Sequence, residues 1–164
     1  MKVTTTQSPA DAERQLKKFI AKFEPRHQTL IRAVRKALRK RFPTAYELAY
    51  DNYNFFVIGY GSTERPSDAI VSMAAGANGI GLCFIHGASL PDPHNLLLGS
   101  GNQTRFIRLE SVDVLARPEV EALYDSAPGK HLTRWRNALQ KFTRNGTMDG
   151  FSSAFTRNAG LEPF

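Results

Sequence analysis

The spacing of apolar residues changes at Pro43, and no other feature of the chain constrains its fold as much. Before that point apolar residues recur at three- and four-residue steps. Leu16, Phe19, Ile20 and Phe23 make one stripe over Asp11–Phe23, and Leu30, Ile31, Val34, Leu38 and Phe42 make a second over Arg26–Phe42. That period is one face of an α-helix, so two helices are expected. Ser8 before Pro9, with Asp11 and Glu13 behind, offers a capping hydroxyl, a first-turn proline and acids at the positive end of the dipole. Pro25 parts the two helices. Pro43 closes the second, because the residue before a proline leaves the helical region.

After Pro43 the residues turn aromatic and β-branched. "YELAYDNYNFFVIGYG" reads as strand–turn–strand with the turn at "DN". "DAIVSMAAGANGIGLCFIHG" reads as a second hairpin, its apolar runs flanking "GANG", where Asn-Gly signals a tight turn. "TRFIRL" supplies a fifth strand, and "RPEVEALYDSA" a third helix with Val120, Leu123 and Tyr124 inward. Helices, then hairpins, then a helix predict an α+β fold. The expected sheet is antiparallel with about five strands, and the N-terminal and C-terminal helices pack on one face. The 164 residues suit a single core. Residues 1–129 are expected to form the domain and 130–164 an extension, helical at "KHLTRWRNALQKF" or disordered in the Gly-, Ser-, Asn- and Thr-rich stretch beyond.

The start of the chain lacks the apolar core of a signal peptide, and no run reaches the roughly 20 apolar residues that span a bilayer. Cys83 is the only cysteine, so an internal disulfide is impossible. A cytoplasmic protein with no membrane partner is the expectation. Cys83 sits between Leu82 and Phe84, where a buried inert thiol is expected. The net charge of +7 is uneven: residues 1–42 hold 12 Lys/Arg against 3 Asp/Glu, whereas residues 43–124 hold 4 against 9. Basic flanks of this kind suit an acidic partner or a solvated helix.

"HGASLPDPHNLLLGSGNQTRFIRL" is the most motif-like stretch. Asp92 as N-cap, Pro93 at the first helical position and Gly99 as the stop predict a short helix. "GSGNQT" lacks the lysine and the following helix of a triphosphate loop. An anion nest from the amides of Ser100–Gln103, helped by Arg105, is the weaker alternative. His27, His86, His94 and His131 match no zinc spacing, and no hydrolase elbow or His-Glu-x-x-His is present. Glu47 and Asp51 lie on one strand face about 13 Å apart, too far for a retaining carboxylate pair, and are expected to be surface acids. No cofactor, metal or catalytic residue is expected.

Two binding readings follow. In the first, the chain is a non-enzymatic binding domain for a small polar or anionic ligand. Arg105, the turn of Gly99, Ser100, Gly101 and Asn102, and the tyrosines Tyr50 and Tyr53 would form a sheet-edge cleft. In the second, Arg32, Arg35, Lys36, Arg39 and Lys40 form a stripe opposite the apolar one that contacts nucleic-acid phosphates. That stripe carries no aromatic for base stacking, so a solvated face is its simpler reading.

At "YELAYDNYNFF", "GIGLCFIHGASLPDPHNLLLGSGNQTRFIRL" and "ARPEVEALYDSA" the chain resembles the YdhG-like family, a bacterial domain of unknown function. The succession Phe84, Gly87, Leu90, Asp92-Pro93, Leu97, Gly99, Gly101, Arg105 carries the resemblance, which covers residues 12–127. It implies an α+β domain with an antiparallel sheet. One branch of the family is described as an intracellular iron chaperone serving iron–sulfur assembly. The resemblance thus adds an alternative, iron held by surface carboxylates such as Glu47, Asp51, Glu119 and Glu121, although the first helices are basic where iron favours clustered acids.

Overall fold

In the computed structural model, which describes residues 9–127 and 141–143 apart from 44, 53, 54, 64, 66, 67 and 78, both apolar stripes are helical. α1 spans Pro9–Ile20 and buries Ala12, Leu16 and Ile20. α2 spans Pro25–Arg41, with Pro25 in its first turn, and buries Ile31, Val34 and Leu38. α1 stops three residues short of the expected Phe23. Lys22 and Phe23 donate instead to the carbonyls of Phe19 and Ile20, a tightened turn that leads into Pro25. Ser8, the expected cap, lies outside the described residues.

Five antiparallel strands follow in meander order: β1 (Tyr46–Asn52), β2 (Phe55–Gly61), β3 (Ala69–Gly76), β4 (Gly79–Phe84) and β5 (Arg105–Arg108). The first hairpin turns two residues later than "DN" suggests. Asp51 and Asn52 continue the ladder opposite Phe56 and Phe55, because pairing two more residues satisfies four more backbone groups. The second hairpin closes at Gly76 opposite Gly79, as the Asn-Gly signal implies, and Gly79 takes φ +152°. α3 (Pro118–Ser126) comes last of the helices, preceded by a 3-10 segment, Val112–Ala116. A short strand, β6 (Lys141–Thr143), runs parallel beside β1. The helix expected over "KHLTRWRNALQKF" therefore does not extend through Lys141 and Phe142, and its earlier residues lie outside the described ones.

The side-chain alternation of the strands sorts the core into two layers. Ala49, Phe56, Ile58, Tyr60, Met73, Leu82, Phe84 and Ile107 cluster with the buried residues of α1, α2 and α3. Rings tie helix to sheet within this layer: Phe19 stacks on Phe56 at 5.9 Å, and Phe84 meets Tyr124 at 5.8 Å. Leu48, Tyr50, Val57, Ala74, Cys83, Ile85 and Phe106 form the second layer, which contains no residue of α1, α2 or α3. Both sides of β2 and β3 are buried throughout. No helix among the described residues is long and apolar enough to cross a membrane.

Candidate functional site

Three polar arrangements stand out against this core. The first joins α1, α2 and the sheet. Arg35 donates from Nη1 and Nη2 to both carboxylate oxygens of Glu13, at 2.9 and 2.8 Å, and from Nη2 to Glu47 at 2.9 Å. Tyr60, the register partner of Glu47, donates its phenol to the same carboxylate at 2.8 Å. The Glu47 side chain is 6% exposed and that of Arg35 11%. Burial by itself lowers the Arg35 pKa, but the bonds and charges of Glu13 and Glu47 outweigh it, so it stands above the ordinary arginine value. Burial, then the charge and hydrogen bond of Glu47, push the Tyr60 phenol far up. Every polar group faces a partner, which is the arrangement of a structural seam. Glu47 is therefore not the surface acid its strand position suggests, and Arg35 is not part of a solvated stripe. The apolar period of α2 puts Arg35 at the edge of the buried face, from which its long stem reaches two acids at once.

The second arrangement is the segment between β4 and β5. No helix forms at "DPHNLLLG". Asp92 still caps, accepting from the amides of Leu96 and Leu97 at 2.9 Å each, but Asn95 turns into the left-handed region at φ 53° and breaks the helical path. Leu98 then pairs with Phe106 as an isolated antiparallel bridge that takes up the Leu98 amide a helix would have used. Gly99 needs its glycine, at φ 112°, whereas Gly101 lies outside that region. Arg105 donates from Nη1 to the carbonyls of Gly101 and Thr104, Thr104 bonds to Ile85, and Gln103 bonds to His86 Nδ1 at 2.8 Å. Arg105 thus staples its own loop.

Tyr50 does not meet Arg105. β1 and β5 are at opposite ends of the β1–β5 meander, four strand spacings or roughly 19 Å apart. Tyr50 belongs to the second layer, whereas Arg105 shares its side of β5 with Ile107 of the first. The cleft of Tyr50 with Gly99, Ser100, Gly101, Asn102 and Arg105 is not assembled, and Tyr53 lies outside the described residues. A one-dimensional reading could not know that the hairpins lay the strands side by side in chain order.

The third arrangement is a groove of about 440 Å³ between α2, the 3-10 segment and α3. Ala37, Leu38, Val112 and Leu115 give it an apolar floor, and Lys40, Arg41, Asp113 and Glu121 give it a charged rim. Arg41 bridges Glu121 at 3.0 Å and Asp125 at 3.2 Å. Tyr124 lines the groove, and its buried hydroxyl has no hydrogen-bond partner among the described residues. Burial, then the charge of Glu121, raise its pKa, so the phenol stays protonated as a donor. The sequence pointed to single residues here, Leu38 and Tyr124 as core, Lys40 in the basic stripe and Glu121 as a carboxylate for iron, but not to their meeting. "SVDVLA" carries no motif that would have marked the groove.

Cys83 is fully buried, and burial pushes its thiol up to about 12, which makes it inert at neutral pH. Of the four acids considered for iron, Glu47 and Glu121 are bonded to arginines. Among the described residues no three or more His, Cys, Asp or Glu gather at metal-binding range. Comparison with known proteins adds nothing to these observations: no family model, curated protein or solved structure matches the chain.

Proposed function

We propose that the protein is a binding domain for a small molecule with an apolar body and an acceptor or anionic head, held in the groove between α2, the 3-10 segment and α3. The observation that carries this reading is a cavity of ligand size lined by Tyr124, whose buried hydroxyl has no hydrogen-bond partner among the described residues. A buried polar group left unbonded costs free energy, and a ligand acceptor that reached the hydroxyl through a small shift of the ring would recover it. Apolar floors with a few polar groups are the common form of such sites, at about 300–1,000 Å³. Lys40 on the rim is an exposed cation for a carboxylate. The resemblance to the YdhG-like family accords with the fold and adds no activity to the proposal.

Thermal-shift and calorimetric screening with aromatic and medium-chain carboxylates tests it, each against its neutral alcohol. Tyr124→Phe is expected to weaken a hit about tenfold, the worth of one neutral hydrogen bond, and Ala37→Trp to abolish it by filling the groove. If the hit survives both changes but is lost in Arg105→Ala, the ligand sits at the Gly99–Arg105 turn and the groove reading fails.

A further inference from the structure

α2 carries seven Lys/Arg and no acid in 17 residues, and the fold sorts those cations by direction. Arg26 pairs with Glu24 at the start of the helix, Arg35 turns inward to Glu13 and Glu47, and Arg41 turns aside to Glu121 and Asp125. Arg32, Lys36, Arg39 and Lys40 are left on the exposed side, at helical steps of four, three and one. Lys17 of α1 is exposed one turn beyond Glu13, and Glu13 faces α2 through Arg35, so Lys17 flanks the same surface. Among the described residues no carboxylate bonds Lys17, Arg32, Lys36 or Lys40; Arg39 alone approaches one, at 4.0 Å from Glu47.

We propose that this outer face of α2 docks the phosphate backbone of a nucleic acid, without reading its sequence. Arg32 and Lys36, and Lys36 and Lys40, are like charges at four-residue spacing, a repulsion that an anionic partner relieves. The face is polar and dominated by its cations. The only large apolar side chain counted as exposed among the described residues is Leu98, in the β4–β5 segment. Insertion into a membrane interface needs a row of apolar anchors, and a protein partner needs an aromatic or aliphatic hot spot. Neither is present on this face. A polyanion needs only cations and the release of its counterions. No aromatic or Asn interleaves the four cations, and the one amide beside them, Gln28, accepts from Arg32 at 3.2 Å, so base edges and base stacking are left unread.

Fluorescence anisotropy of the full chain with a mixed-sequence DNA duplex tests the proposal, with an RNA duplex and phosphatidylserine vesicles as parallel arms. If each of the four α2 cations meets one phosphate, affinity falls roughly 100-fold between 50 and 200 mM salt. The double variant Arg32→Glu/Lys36→Glu is expected to weaken binding at least tenfold. Both side chains are exposed, so its thermal midpoint should match the parent's, which separates lost docking from lost folding. Either duplex arm supports the proposal, and the two arms tell DNA from RNA. No duplex binding at 50 mM salt, binding indifferent to the double variant, or retention on vesicles alone overturns it. Tyr124→Phe leaves this binding unchanged, and Arg32 and Lys36 lie outside the groove, so the two variants separate the stripe from the groove although both border Lys40.

Discussion

Arg35 and Arg105 are both read from sequence as available cations, and both are spent inside the molecule in opposite ways. Arg35 bonds acids 12 and 22 residues away, on a different helix and on a strand. Arg105 bonds carbonyls one and four residues away in its own loop. The first fixes how α1 and α2 sit against the sheet; the second only shapes the path from β4 to β5. A long-range ion network stabilises the whole fold, whereas a local staple stabilises one segment of it.

Alkali should widen that contrast most. Tyr60 at the Arg35 seam, and Tyr50 and Tyr124 elsewhere in the core, all have phenol pKa values raised, first by burial. The folded chain keeps these protons where the unfolded chain releases them. Stability is thus complete below about pH 10 and falls above it, by up to about 1.4 kcal/mol per group per pH unit. Denaturant midpoints at pH 9, 10 and 11 measure this, and an unchanged midpoint would show that the phenols are not held dry. Tyr60→Phe should flatten the curve by one group's share.

Arg35→Met comes next, at about 3–5 kcal/mol, because it leaves Glu47 buried without its cation. Adding Glu47→Gln should return part of that loss. If the two losses simply add in urea unfolding, the seam is not one network. On the local side, Gly87→Ala would place a Cβ 2.6 Å from the Arg105 Cβ and 2.9 Å from its backbone nitrogen. The clash should cost about 1–3 kcal/mol. A neutral result would mean that the loop gives way freely and Arg105 holds it only loosely. Asp92→Ala removes the acceptor of two amides, for about 1 kcal/mol. Faster hydrogen exchange confined to Leu96 and Leu97 would mark it as local. Tyr124→Phe should lie within about 0.5 kcal/mol of the parent, since its hydroxyl has no partner among the described residues to lose.

Much of the fold was legible. The helical stripes of α1 and α2, the Asn-Gly hairpin, and the switch to strands after Pro43 are local signals, carried by residues within a turn or two of one another. Asp92 was legible as a cap, though not in a helix, since the competing bridge from Leu98 to Phe106 joins residues eight apart. The candidate site was hardly legible at all. Tyr50 and Arg105 belong to strands that the meander separates, and the groove is built from three elements that sequence alone does not bring together.

The sequence by itself determined the two N-terminal helices, the five strands of the meander and α3, that the basic charge gathers on the first two helices, and that Cys83 has no partner in the chain. Only the tertiary structure decided which cations face water. Charge is a property of each residue, but exposure depends on what packs beside it, and Glu13 and Glu47, the latter bonded by Tyr60, reach Arg35 only once helix and sheet have met.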